Sequence, residues 1–197
     1  MNKDEQLLKL YLDLHNPESY PWNMSPESLY IEYVTRHYIR YRITVFEGMK
    51  ACNIGIGVGE WDDYLGYTLL GKGTLTSVDI DAEIFDLFRY RQWREGHPNP
   101  STVVCMDVLN STLSNDLFDL VTIIGSTVKQ TGEYEKTFHS CFDLLHKNGV
   151  LVYMDFLKNH TDDEFVQFIQ STPHRIEDIS RYNEYPQVDF LICRARK

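Results

Sequence analysis

The sequence predicts an α/β fold built on a doubly wound, mostly parallel sheet, and three observations predict it. Residues 53 to 61 read Asn-Ile-Gly-Ile-Gly-Val-Gly-Glu-Trp, so that Gly55, Gly57 and Gly59 alternate between an apolar run and a helical pattern. A β-branched run from Thr74 ends in two acids, Asp79 and Asp81, and Asp79 lies 20 residues beyond Gly59. Strand-like and helix-like segments then alternate and finish in a hairpin. That order implies helices on both faces of a mostly parallel sheet with one antiparallel strand. At 197 residues the chain is expected to form one domain with a substantial core.

The elements follow in order. Asp4–Leu14 reads as a short amphipathic helix, and residues 16–25 as an aromatic loop carrying Tyr20 and Trp22. Ser25-Pro-Glu-Ser28 supplies a cap serine, an N1 proline and an early acid, which opens a long helix. On that helix Tyr30, Tyr33, Val34, His37, Tyr38 and Tyr41 are assigned to one face, with Glu32 and Arg36 opposite. Strands are predicted over Lys50–Ile54, Leu75–Ile80, Thr102–Met106, Leu120–Ile124 and Val150–Met154. Helices are predicted over Trp61–Leu70, Ala82–Trp93 and Glu133–Leu145, the last stopped by Lys147-Asn-Gly149 with glycine at C′. Thr161-Asp-Asp-Glu164 has capping-box spacing and starts a helix running through Gln170. Arg175–Ser180 and Val188–Arg194 flank a turn at Asn183–Pro186 and read as the closing strands.

Glycine at this density opens backbone conformations closed to other residues and removes Cβ atoms from a close approach. A strand that turns there into a helix leaves a backbone-walled floor with free N–H groups, a place to lay a nucleotide-like ligand. An acid at the tip of the second strand, at this distance from the turn, suits a ribose diol. Asp79 fills that position, whereas Asp81, just before Ala82-Glu-Ile-Phe, reads as a helix N-cap. A nicotinamide fingerprint, G-x-G-x-x-G, would need glycine at Glu60 or Asp62 and is disfavoured.

Composition narrows the partners. The net charge of −10 argues against a nucleic-acid backbone as principal ligand. No apolar run approaches a membrane span, and the first residues lack the pattern of a signal peptide, so a cytoplasmic protein is expected. Cys52, Cys105, Cys141 and Cys193 stand far apart in apolar patterns and read as reduced thiols, most of them buried.

From about residue 50 to 197 the chain resembles the class I S-adenosylmethionine-dependent methyltransferases. Gly55, Gly57 and Gly59 match the first motif, with Asn53 where the family usually places a carboxylate. Val78-Asp79-Ile80 matches the second motif, Val103 to Val108 the third, Phe118 to Ser126 the fourth, and Leu145 to Val152 the fifth. The resemblance implies a Rossmann-like seven-stranded sheet over residues 49–197; residues 1–48 fall outside the motifs and read from their own helical and aromatic pattern as an N-terminal helical cap or lid. It implies S-adenosylmethionine as cofactor, leaving as S-adenosylhomocysteine. The cofactor set becomes Asn53, Gly55, Gly57, Gly59, Glu60, Asp79, Ile80, Asp107, Val108 and Gly125. Asp79 would hold the ribose, Ile80 would touch the adenine and Asp107 would accept from its amino group. An amide at Asn53 still accepts a hydrogen bond, though it contributes less to a cation than a carboxylate would.

Methyl transfer needs alignment more than covalent help, and a base only where the acceptor loses a proton. His160, just outside a helix N-terminus, is the candidate base. Ser126 and Asp155, at the ends of strands four and five, are candidate substrate residues, with Tyr20, Trp22, Tyr30, Tyr33 and His37 from the lid. Catechol-type relatives bind a divalent ion through acids after strand four and an Asp-Asn pair after strand five. Here strand four ends without an acid and Phe156 follows Asp155, so metal dependence is not expected. Nor does Ile124-Gly-Ser-Thr match the Asn/Asp-Pro-Pro-aromatic motif of nucleic-acid adenine methyltransferases. The expected activity is methylation of a small molecule at oxygen or nitrogen. Methylation of a peptide or protein, or a non-catalytic module of the same fold, are the alternatives.

Overall fold

The computed structural model describes residues 1–197. Its strands are β1 (Met49–Ile54), β2 (Gly73–Asp79), β3 (Thr102–Cys105), β4 (Phe118–Ile124), β5 (Leu145–Phe156), β6 (Arg175–Tyr182) and β7 (Phe190–Arg196). Its helices are α1 (Lys3–Leu14), α2 (Tyr20–Asn23), α3 (Pro26–Arg42), α4 (Glu60–Thr68), α5 (Ala82–Glu95), α6 (Thr127–Thr131), α7 (Tyr134–Leu144) and α8 (Asp162–Gln170). The strands make one sheet in the order β3-β2-β1-β4-β5-β7-β6. All neighbours are parallel except β7, which runs antiparallel to β5 and β6. This is the Rossmann-like sheet with an antiparallel C-terminal strand expected from the sequence. The chain leaves β1 toward β2 on one side and reaches β4 on the other. The turn after β1 therefore sits at the switch point, where doubly wound sheets bind ligands.

Strand alternation divides the core into two layers. On one side Leu120, Val152 and Met154 pack against Tyr38 and Ile39 of α3, Leu65 of α4 and Leu69 just beyond it. On the other, Val121, Ile123, Leu151 and Tyr153 meet Phe138 and Phe142 of α7 and Phe165 and Phe168 of α8. The central strands are buried on both faces, which is why they read as unbroken apolar runs rather than alternating ones.

Three sequence expectations are corrected. Helix α7 ends at Leu144 and β5 begins at the next residue, so Gly149 lies inside a strand and is no C′ glycine. A register irregularity against β4, between Phe118 and Leu120, accommodates this stretch, and Asn148 takes a left-handed φ of 70° beside it. A Cβ on Gly149 would stand 2.9 Å from two carbonyl oxygens, those of His146 and Phe118, which explains the glycine.

The tyrosine face of α3 also divides. Tyr30, Val34 and Tyr38, spaced four apart, turn to the core, with Tyr30 stacked on Tyr185. Tyr33, His37 and Tyr41 form a second stripe on the outer surface, where both tyrosines are 66% exposed. Each stripe is a four-residue ladder, and the two ladders lie about 60° apart around the helix at 100° per residue. The short helices α2 and α6 were not predicted, being four and five residues long, too short to show a helical period.

Candidate cofactor and acceptor site

A groove of about 240 Å³ opens at the carboxyl ends of β1, β2 and β3. Ile54, Gly55, Val78, Asp79, Ile80, Met106, Asp107, Val108 and Leu109 line one part, and Thr127, Gln130 and Thr131 of α6 the other. Motifs distant in sequence thus meet because parallel strands deliver their carboxyl ends to one edge.

The three glycines differ in role. Gly55, Gly57 and Gly59 have φ of +86°, +56° and +80°, all left-handed, so the alternation reflects a backbone requirement. Beside Gly57 the position of an absent Cβ is open, and ligand and backbone are free to meet there. At Gly55 a Cβ would stand 2.5 Å from the Thr127 hydroxyl, which marks the close approach of α6. At Gly59 it would stand 2.4 Å from the Phe88 ring, so this glycine also serves the packing of α4 on α5.

Asp79 braces the turn. One carboxylate oxygen accepts from the Ile56 N–H at 2.8 Å and the Gly57 N–H at 3.4 Å; the other accepts from the Asp81 N–H at 2.9 Å. Asp81 caps α5 as expected, accepting from the Glu83 N–H at 2.7 Å. Asp107 accepts from the Leu109 N–H and from the Asn110 amide, both at 2.9 Å, and so caps a short 3-10 turn at the groove wall. Ile80 is 70% exposed beside it, an unusual exposure for an isoleucine and a ready apolar face for a flat ring. The groove thus offers a carboxylate at a bared glycine turn, flanked by an apolar wall, and a nucleoside fits that donor and acceptor set. Glu60 is exposed on the first turn of α4, outside the groove. Gly125, with φ of +80°, turns the chain from β4 toward α6 and places Thr127 in the groove.

Asn53 stands behind the groove and is not among the residues that line it. It is fully buried and both ends of its amide are engaged. The oxygen accepts from the Thr122 hydroxyl at 2.8 Å, and the nitrogen donates to Asp62 at 3.0 Å and to the Gly55 carbonyl at 3.0 Å. Trp61 donates to the same Thr122 hydroxyl at 3.2 Å. Asp62, also fully buried, has its pKa pushed up to about 7 by burial, against the hydrogen bonds it accepts. The pair forms a buttress behind the glycine turn, and a carboxylate at position 53 would have faced that of Asp62.

A second polar cluster lies at the carboxyl ends of β4 and β5. Asp155 is fully buried and accepts from the Phe156 N–H at 2.7 Å, the Asn159 amide at 2.7 Å and the Tyr153 hydroxyl at 3.1 Å. Burial raises its pKa, and those same bonds oppose the rise. The Asn159 amide also lies 3.5 Å from the Ser126 hydroxyl. His160 sits against Tyr134, ring centroids 4.5 Å apart. Ser126, Asp155 and His160 are therefore brought together. Tyr20 and Trp22 are 50% and 71% exposed, and neither lines the groove. Tyr33 and His37 stand on the outer surface of α3, and Tyr30 belongs to the core. Thr127, Gln130 and Asn159 fall in the segments 125–130 and 155–160 that the sequence marks as meeting at the ends of strands four and five, whereas Thr131 and Tyr134 were not singled out; Gly132, which bounds α6, was the available signal.

Residues 51–149 match the family model described as a methyltransferase domain. No curated protein matches the chain by sequence. Among solved structures, an S-adenosylmethionine-dependent methyltransferase from Aquifex aeolicus superposes with a TM-score of 0.68 at 14% identity, covering 96% of this chain and 97% of that one. A putative sarcosine dimethylglycine methyltransferase from Galdieria sulphuraria gives 0.72 at 10% identity, covering 99% and 98%. The magnesium protoporphyrin IX methyltransferase of Synechocystis PCC 6803, solved with bound S-adenosylmethionine, gives 0.68 at 14% identity, covering 86% and 78%. The chain belongs to the methyltransferase-domain family and is an S-adenosylmethionine-dependent enzyme.

Proposed function

We propose that this methyltransferase acts on a small molecule, at oxygen or nitrogen, without a metal and in the cytoplasm. The observation that carries the reading is the separation of two sites along one sheet edge. The groove lies at β1–β3, and a compact polar cluster lies at β4–β5. Asp79 would hold the ribose, Ile80 and Val108 would flank the adenine, and Asp107 would accept from its amino group. Gly55 and Gly57 would bare the backbone to the rest of the cofactor. The cofactor, when bound, supplies a methyl group on an already activated sulfonium, so the chain's task is alignment and water exclusion.

A small acceptor is favoured over nucleic acid by the net charge of −10. It is favoured also by the scale of the β4–β5 cluster, which is built from a few side chains rather than an extended surface. No helix is long and apolar enough to cross a membrane. Two structural relatives are named for small molecules, sarcosine and dimethylglycine in one and magnesium protoporphyrin IX in the other, and they support the reading by analogy.

The test is calorimetry followed by turnover. S-adenosylhomocysteine is expected to bind at micromolar levels, about −8 kcal/mol, with NAD far weaker. Methylation of low-molecular-weight phenols, alcohols or amines is expected, and none of RNA or DNA. Preferential methylation of a nucleic acid or a protein would overturn the small-molecule reading.

A further inference from the structure

Along β7 the alternate positions Phe190, Ile192, Arg194 and Arg196 face one side of the sheet, the side on which α3 packs. Phe190 and Ile192 are fully buried there, but the next two positions on that face are arginines, their side chains only 19% and 33% exposed. Arginine is seldom held that far from water unless it is paired. Helix α3 ends at Arg42, and its last carbonyl accepts from Arg194 Nη1 at 2.7 Å, so the helix stops short of covering this end of the face. A cavity of about 260 Å³ remains at the amino ends of β1, β4 and β5. It lies on the edge of the sheet opposite the cofactor groove and is of similar size.

Pairing inside this cavity is incomplete. Glu177 of β6 is shared, since Arg196 donates to both of its oxygens and Arg194 Nε stands 3.1 Å from one of them. That Nε is buried and misaligned, so it makes no hydrogen bond, and Arg194 Nη2 has no partner in the chain. Asp119 is matched by His146 Nε2 and by the Lys50 N–H, which it accepts at 2.7 Å. Arg42 lines the same cavity and forms no ion pair. One carboxylate divided between two guanidinium groups, with a third guanidinium left over, concentrates positive charge in a chain whose net charge is −10. The remaining wall is apolar, formed by Met49, Leu120 and Val150, and the Phe46 ring stands at its rim, 47% exposed.

We propose that this cavity is a second ligand site, that it takes a small carboxylic acid with an apolar body, and that Arg42 and Arg194 hold the carboxylate. A guanidinium presents paired N–H groups that match the two oxygens of a carboxylate, and such a ligand gives Arg194 Nη2 its missing acceptor. Asp119 and Glu177 line the same cavity and repel a second negative charge, which disfavours a phosphate dianion or a dicarboxylate. The apolar wall takes the rest of the ligand out of water, and Phe46 supplies a ring for it to lie against. The seven residues of β4 put about 20 Å between this cavity and the acceptor cluster. The ligand and the cofactor therefore occupy separate places on the two edges of one sheet. The site stands apart from the methyl acceptor proposed above and does not depend on it.

Calorimetry and thermal melting of the whole chain at low ionic strength test this, with phenylacetate and isovalerate as aromatic and aliphatic probes. Acetate, benzyl alcohol and inorganic phosphate are the controls. At least one of the two probes is expected to bind once per chain with Kd below about 1 mM and to raise Tm. Its affinity is expected to be the same with and without saturating S-adenosylhomocysteine. Acetate lacks the apolar body and benzyl alcohol lacks the charge, so each is expected to bind at least about tenfold more weakly. Arg42→Ala is expected to weaken the probe about tenfold or more. Because the Arg42 side chain is exposed and forms no ion pair, the same variant is expected to keep the Tm of the free protein. A fall in that Tm of more than about 3 °C means a structural arginine and overturns the assignment. So does unchanged probe affinity in Arg42→Ala, or displacement of the probe by S-adenosylhomocysteine. Phosphate or acetate binding as tightly as the probes, or no binding of either probe below about 1 mM, overturns it as well.

Discussion

Replacing Asp62 by asparagine should make stability less dependent on pH, and the structure sets the size of the effect. The carboxyl group is fully buried behind the glycine turn, and its pKa is pushed up to about 7. In the unfolded chain an aspartate titrates near 3.9. Below about pH 3.9 both states are protonated and the group contributes nothing to the slope. Between there and about pH 7 the unfolded chain ionises while the native carboxyl keeps its proton, so stability falls as pH rises. Above about pH 7 the loss is complete, and at about 1.36 kcal/mol per unit it reaches roughly 4 kcal/mol. In Asp62→Asn the new amide oxygen still accepts from Asn53, and its nitrogen lies beside the Ser77 hydroxyl. An imperfectly paired amide would return about 1–3 kcal/mol of that gain.

Urea unfolding from about pH 5 to about pH 8 reads the difference between the two proteins. Relative to the native chain, the variant should gain about 1.5 kcal/mol at about pH 5 from this group and approach the full roughly 4 kcal/mol above about pH 7, before the amide penalty. Comparing the two removes the contributions of other titrating groups, such as Glu177, whose pKa is lowered by Arg196. A stability gap that does not change across the range would refute the reasoning, since the native carboxyl would then ionise as it does in the unfolded chain.

Three further predictions concern the groove and lid. Asp79→Ala should cost on the order of 2–4 kcal/mol of S-adenosylhomocysteine affinity by calorimetry, and Asp81→Ala about 1 kcal/mol of stability; exchanged behaviours would mean the ribose position is misassigned. Gly59→Ala should destabilise by at least about 2 kcal/mol, because its Cβ meets Phe88 at 2.4 Å in a left-handed backbone. Gly57→Ala, with open space around it, should lose only the backbone-strain contribution, about 1 kcal/mol, and should affect cofactor affinity more than Tm. Tyr20→Ala with Trp22→Ala should leave Tm nearly unchanged, both rings being at least half exposed, while reducing turnover if the segment closes over the acceptor. Undiminished turnover would remove the segment from the site.

Much of the fold was legible because its signals are local. Capping residues, turn glycines and apolar runs bounded by polar ones lie within a few positions of one another, and six of the seven strands were placed from them within two residues of their observed limits, β5 beginning five residues earlier than predicted. Asp79 was legible for the same reason: a fixed spacing from a glycine turn constrains it. The exceptions are residues whose roles depend on what arrives from elsewhere. Gly149 resembled a helix stop until its neighbour in β4 was known. The stripe on α3 was apolar enough to look like one face, and only packing against β7 separated Tyr30, Val34 and Tyr38 from the outer ladder.

The sequence by itself determined the order of elements, the doubly wound sheet and the place of the glycine turn, because periodicity and backbone restriction act along the chain. Only the tertiary structure decided that Asn53 is a buttress for Asp62, that Gly59 packs on Phe88, and that Tyr134 and Asn159 join His160. Burial and hydrogen-bond pairing are properties of the surroundings, and each of those surroundings is assembled from segments far apart in the chain.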